Sequence, residues 1–191
     1  TPVRRIPLTD DEKAMIRELF LLTSKPVLYV ANVAESQLGK EDTDPLVAKA
    51  RAVAAAENAP LITICSKVEA EVQELPESER ADFLAAVGLT EPGLHKLVRA
   101  GYQLLGLITY LTAGPEETRA WTIKQGTKAP GAAGVIHTDF ERGFIKAEVM
   151  TFKQLAEHKT EAAMRERGLL RVEGKEYVVE DGDVMHFRFN V

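Results

Sequence analysis

A chain of 191 residues, 45% apolar and 28% charged, has room for one large domain or two small ones and carries no mark of a fibre, a membrane protein or a disordered segment. Its net charge of −5 is unevenly held: residues 1–106 carry 12 basic against 16 acidic side chains and residues 107–191 carry 12 against 13, so nucleic acid would need a local basic patch rather than a global field. The lone cysteine, Cys65, cannot build a disulfide framework or a zinc cluster and points to a reducing, cytoplasmic setting, and no apolar run reaches membrane-spanning length.

The opening Thr1-Pro2-Val3-Arg4-Arg5-Ile6-Pro7 reads as a connection arriving from elsewhere. Thr9 and Glu12 form a capping-box pattern, and Met15, Ile16, Leu19, Phe20 and Leu22 recur at helical spacing, which predicts a helix of about three or four turns closed by Lys25-Pro26. Val27 to Ala31 is an unbroken apolar run expected to form a parallel strand covered on both faces. It ends abruptly in Asn32-Val33-Ala34-Glu35. Ligands of open α/β sheets sit beyond the carboxyl ends of strands, so Asn32 and Glu35 stand where a small molecule would be read. A plain turn, with Asn32 bonding its own backbone, is the alternative.

Asp44-Pro45 predicts a helix start, with Leu46, Ala50, Val53 and Ala54 as its apolar stripe, and Asn58-Ala59-Pro60 ends it. Leu61 to Cys65 is a second continuous apolar run. A βαβ unit follows, which would bring Asn32/Glu35 and Ser66/Lys67 to one edge. Further helices are expected from Leu75-Pro76 to about Gly88 and from about Pro92 to Gly106, the latter burying Leu94, Leu97, Val98, Leu104 and Leu105.

Beyond Gly106 the pattern changes, and a domain boundary is expected there. Leu107 to Thr112 and Arg119 to Ile123 flank Gly114-Pro115-Glu116 as strand, turn and strand. A helix over Ala129 to Thr138, a strand over Phe144 to Met150 and a short helix capped by Thr151 come next. Leu169 to Val172 and Tyr177 to Val179 read as a hairpin about Glu173-Gly174-Lys175. In the last strand Met185, Phe187, Phe189 and Val191 alternate with His186, Arg188 and Asn190. Two hairpins around a helix suggest a small ubiquitin-like, β-grasp domain.

Candidate chemistry is sparse. No Gly-rich phosphate loop is present: Gly168 through Gly174-Lys175 has the wrong spacing and is followed by Glu176 instead of a hydroxyl residue. His95, His137, His158 and His186 are scattered without metal-ligand spacing, Cys65 and Ser66 have no triad partners nearby, and His137-Thr138-Asp139 reads as a capped helix end. No catalytic residue and no metal ligand is assigned. Arg119, Lys124, Lys128, Arg142 and Lys146, with Trp121 and Phe140 interleaved, could touch RNA or could form a solvated face.

Asn32-Val-Ala-Glu35, Cys65-Ser-Lys67, the segment from Arg119-Ala-Trp-Thr-Ile-Lys to Gly134-Val-Ile-His-Thr-Asp-Phe140, and the ending Asp181-Gly-Asp-Val-Met-His-Phe-Arg-Phe-Asn-Val191 together resemble the YchF/Obg-like ATPase family. The resemblance covers essentially the whole chain but only the later portion of the family. It implies, over 1–106, the end of a helical insertion and the C-terminal half of a GTPase-like α/β nucleotide-binding domain without its phosphate loop, and, over 107–191, a TGS domain of β-grasp fold. It further implies that the intact protein is a cytoplasmic, translation-associated nucleotide hydrolase using ATP, with GTP weaker, and Mg²⁺ held by residues not present here. This chain alone would then be inactive, or a non-catalytic RNA- or ribosome-binding fragment.

By the same resemblance Asn32 and Val33 would contact the base, Glu35 would lie near its edge, and Cys65, Ser66 and Lys67 would approach from the second loop. Arg119, Lys124 and Arg188 are the RNA-contact candidates. Ordinary GTPases carry Asn-Lys-x-Asp, whose carboxylate accepts from the N1–H and amine of guanine. Val33 and Glu35 replace that Lys and Asp, so the guanine clamp is dismantled.

Overall fold

The computed structural model describes residues 1–114 and 117–190. Pro115 and Glu116 of the expected turn, and the Val191 that ends the last apolar alternation, lie outside the described residues. Two compact units are formed, Thr1–Leu105 and Gly106–Val191.

In the first unit the Thr9–Glu12 capping box is made in both directions, and α1 runs over Asp10–Arg17. It has about two turns, fewer than the apolar spacing predicts. Phe20 turns to a φ of 47°, and Met15, Leu19, Phe20 and Leu22 are exposed. An apolar stripe holds a helix chiefly when something buries it, and nothing among the described residues covers this one.

Strand β1, Tyr29–Asn32, pairs in parallel with β2, Leu61–Ile64, across helix α2, Pro45–Ala56. Tyr29 faces Leu61 and Asn32 faces Ile64. The expectation of a strand covered on both faces is corrected: Val30 is 42% exposed in a sheet of two strands among the described residues. Asp44 Oδ1 accepts from the backbone N–H groups of Leu46 and Val47, starting α2 at Pro45. The helix turns Val47 and Ala54 inward and leaves Leu46 and Val53 exposed, so the buried stripe is rotated from the predicted one.

Helices α3 (Ser66–Glu74), α4 (Glu77–Ala86) and α5 (Gly93–Leu105) complete this unit. The sequence reading missed α3. Its fully buried Val68 and Val72 are the centre of the core formed with Val33, Val47, Cys65 and Leu84. Along α5, Leu94, Val98 and Leu105 are about half exposed rather than buried. The Glu69 carboxylate accepts from the N–H groups of Gly93 and Leu94, so a side chain of α3 satisfies the start of α5.

The second unit is one mixed sheet with helices on both faces. Its elements are β3 (Leu107–Ala113), β4 (Thr118–Lys124), α6 (Ala129–Ile136), α7 (Thr138–Arg142), β5 (Phe144–Thr151), α8 (Phe152–His158), α9 (Glu161–Glu166), β6 (Arg171–Glu173) and β7 (Asp183–Phe189). The strand order is β4-β3-β7-β5-β6, with β3 and β7 parallel and the other pairs antiparallel. A five-stranded sheet with first and last strands adjacent and parallel, and a helix across one face, is the β-grasp arrangement. Tyr110 shows how the helix is held: its ring is buried against Phe187 and its hydroxyl donates to the Ala132 carbonyl of α6 at 2.9 Å. The opposite face is covered at one end by α8 and α9 through Leu155 and Met164 against Met150 and Val184.

The predicted hairpin about Glu173-Gly174-Lys175 is not formed. Val178 bridges Lys128 instead, and the Tyr177 carbonyl and Val179 N–H bond to Ala129 and Thr127. The cause is the buried Asp183, whose Oδ2 accepts from the Tyr177 hydroxyl at 2.6 Å and the Glu180 N–H at 3.0 Å, with Arg171 at 3.5 Å as counterion. These bonds hold the segment toward β7, while Arg171 of β6 keeps a side-chain bond to the Tyr177 hydroxyl at 2.9 Å in place of ladder pairing.

Candidate functional site

Parallel pairing brings the carboxyl ends of β1 and β2 side by side. The Asn32 Oδ1 accepts from the Ser66 N–H at 3.0 Å. This bond reaches across the sheet rather than back to Asn32's own backbone, and it serves the first residue of α3, whose preceding Cys65 supplies no side-chain cap. The Asn32 amide nitrogen has no hydrogen-bond partner among the described residues, so the group is oriented by its oxygen with its donor left over.

One step outward, Lys67 Nζ lies 2.8 Å from Glu35 and 3.6 Å from Glu71. Hydrogen bonding to Glu35, then its charge and that of Glu71, holds the Lys67 ammonium above the ordinary lysine range. Both partners are substantially exposed, so the pair organises the rim more than it stabilises the fold.

These residues border a cleft of about 770 Å³ lined by Asn32–Ser36, Cys65, Lys67 and Ala86–Gly88. Its size suits a nucleobase with attached sugar. Val33 and Cys65 belong to the wall, since their side chains are 7% and 3% exposed and pack on Val68 and Val72. Ser66 presents its backbone to Asn32 and is itself exposed. The sequence reading missed the third side of the cleft, Ala86, Val87 and Gly88 at the end of α4. Locally these residues signal only a helix stop, and no pattern ties them to β1.

The three RNA candidates do not share one surface. Arg119 lies over the Trp121 ring at 4.3 Å, on the face toward α6. Alternation along β4 and β7 places Lys124 and Arg188 on the other face. Arg188 donates at 3.0 Å to the largely buried Glu148, which Arg165 also approaches at 3.7 Å. His137 Nδ1 accepts from the Asp139 N–H at the start of α7, a capping contact. Among the described residues no group of His, Cys, Asp or Glu is placed to hold a metal ion, and no helix is long and apolar enough to cross a membrane.

Comparison with known proteins gives a consistent result. Residues 107–190 match the family model YchF-GTPase_C, described as "Protein of unknown function (DUF933)". The chain is 51% identical over 190 residues to the "Ribosome-binding ATPase YchF" of Bacillus subtilis (strain 168), covering 100% of this chain and 52% of that protein. It is 42% identical over 182 residues to "Obg-like ATPase 1" of Pongo abelii, covering 95% and 46%. The solved structure of the Schizosaccharomyces pombe YchF GTPase superposes with a TM-score of 0.82 at 36% identity, over 98% of this chain and 50% of that one. A Pyrococcus horikoshii GTP-binding protein, at TM-score 0.58 and 16% identity, shares the fold. The chain thus spans about half the length of the relatives it matches. The similarity runs through both units, so the chain is similar along its whole length to the C-terminal part of the YchF/Obg-like ATPases.

Proposed function

We propose that this chain supplies the base-reading half of a nucleotide site, in a cytoplasmic factor that binds and hydrolyses ATP at the ribosome, and that residues 107–191 are its TGS module. The observation that carries the reading is the bond from the Ser66 N–H to Asn32 Oδ1, which joins the two strand tips where Asn32, Cys65 and Lys67 line the cleft. With its oxygen spent, the Asn32 amide has its N–H donors to offer the N7 acceptor that every purine carries.

Discrimination falls to Glu35. Guanine presents an N1–H and an exocyclic amine that need an acceptor when enclosed, but Glu35 is turned to Lys67. Guanine's donors would be stripped of water without replacement, at about 1–3 kcal/mol for each unpaired group. Adenine carries neither donor on that edge, so ATP is favoured and GTP binds more weakly. Phosphates and Mg²⁺ would be held by the half of the intact relatives outside this chain, since phosphoryl transfer draws most of its stabilisation from such a loop and its metal.

The test is a titration of the intact protein with both nucleotides, alongside phosphate-release assays on this chain. ATP should bind more tightly than GTP, and the chain alone should release no phosphate. A GTP preference, or metal-dependent turnover by residues 1–191, would overturn the proposal.

For the second unit we propose an RNA or ribosomal partner on the sheet face that carries Lys124. The supporting observation is that Lys124 and Arg188 share that face while Arg119 is on the other. Lys124→Glu is expected to weaken RNA binding across sequences and lower the magnitude of the salt slope by about one, with Arg119→Glu changing neither. Equal effects from the two variants would point to an unspecific charge response.

A further inference from the structure

We infer that the C-terminal end of α4 is a second element that selects the base, by accepting the exocyclic amine of adenine on main-chain carbonyls. This rests on the base-binding reading of the cleft given above and adds a third wall to it. Helix α4 closes with a Schellman motif: the Leu89 N–H returns to the Leu84 carbonyl at 2.8 Å and the Gly88 N–H to the Ala85 carbonyl at 3.1 Å, with Gly88 at a φ of 77°. Those bonds use the Leu84 and Ala85 oxygens. The Ala86, Val87 and Gly88 carbonyls accept no hydrogen bond among the described residues, and these same three residues line the cleft.

Ala86, Val87 and Gly88 carry no polar side chain, so the hydrogen-bonding groups of that wall are backbone. The Val87 side chain packs on the core with Leu38, Phe83 and Leu89, and Gly88 has none. A helix C-terminus carries about half a negative charge, spread over its unpaired carbonyls. The wall therefore accepts hydrogen bonds and donates none. Adenine at position 6 carries an amine, a donor; guanine carries an oxygen at the same place, which this wall repels. Position 6 adjoins N7, so a purine held at N7 by Asn32 would turn its 6-substituent toward one neighbouring wall. Among the described residues single unused acceptors also stand at Val33, Glu35 and Ser36, but the end of α4 gathers three unused carbonyls at the negative end of a helix. Selection would then have two parts: Glu35 withholds an acceptor from guanine's donors, and α4 supplies one to adenine.

The test is an NMR titration of the 191-residue chain with adenosine, purine riboside and guanosine, following the Asn32 side-chain amide, the Ser66 N–H and the ¹³C carbonyl resonances of Ala86 and Val87. Purine riboside has the adenosine skeleton without the amine. Adenosine should shift all of these signals. Purine riboside should shift Asn32 and Ser66, leave the two carbonyls unmoved and bind about tenfold more weakly. Guanosine should bind more weakly than adenosine. Equal affinity for adenosine and purine riboside, with Asn32 responding and the carbonyls silent, would overturn the role of α4 and leave the base site standing. No response at Asn32 or Ser66 to any nucleoside would overturn the base site itself, and this inference with it.

Discussion

Asn32→Asp should leave the first unit folded and weaken its binding of adenosine or ATP by about tenfold or more. Aspartate is close to isosteric with asparagine and keeps an oxygen to accept from the Ser66 N–H. Its negative charge is welcome at the start of α3. It lacks the amide donor, and a carboxylate oxygen facing the N7 lone pair of a purine is repulsive where a hydrogen bond was made. The binding loss thus combines a missing bond with a like-charge contact, while stability stays within about 0.5 kcal/mol of the parent. Asn32→Ala separates the two roles. It leaves the first N–H of α3 uncapped, so it should cost about 1 kcal/mol of stability as well as the binding. Thermal or urea unfolding reads the first quantity and nucleoside titration the second. An Ala variant less stable than the Asp variant, with binding intact in both, would show that Asn32 is a structural cap and nothing more.

Gly143→Ala should destabilise the second unit by about 3 kcal/mol, the largest effect expected of any single methyl group in the chain. Gly143 has an ordinary φ of −87°, so its need for glycine is not conformational. The reason is approach: a Cβ there would lie 2.1 Å from the Asn190 carbonyl oxygen and 2.9 Å from its carbon. Both are backbone atoms, which cannot swing aside as a side chain would. Gly143 also accepts from the Asn190 N–H at 2.9 Å, beside the Phe144–Phe189 pair of β5 and β7. To admit the methyl group, the end of β7 must move off β5. That loses the bond and loosens the Phe140–Phe189 stack, whose ring centres are 3.8 Å apart. Gly174→Ala is the control, because a Cβ there meets nothing within 4 Å. It should change the urea midpoint very little. Similar midpoints for the two variants would mean that β7 ends short of Gly143 in solution.

The signals that act over a few residues were legible in the sequence. Thr9 with Glu12, Asp44 before Pro45, and Thr151 each start a helix where their side chains can satisfy free backbone donors, and they do so without help from the rest of the chain. The alternation of Met185 and Phe187 with His186 and Arg188 was legible for the same reason, since a strand's two faces follow from geometry alone. Burial was less legible. Leu46 and Val53 were expected inside α2 and stand outside, while Val68 and Val72, in a helix the sequence barely announces, are the centre of the core. An apolar side chain states that it can be buried. Which side chains are buried depends on where neighbouring elements pack.

Asn32, Glu35, Ser66 and Lys67 could be singled out by type and position at two strand ends. Their meeting depends on the parallel register that sets Asn32 beside Ile64 and so puts the Ser66 N–H within reach. The third wall of the cleft had no sequence signal at all, because Ala86, Val87 and Gly88 act through backbone that any helix end possesses. The amino-acid order by itself thus determined the local starts and stops and the chemical types available. Tertiary packing decided which of them face a common space, because contacts between residues distant in the chain are set by the burial of the whole unit and not by any one segment's preference.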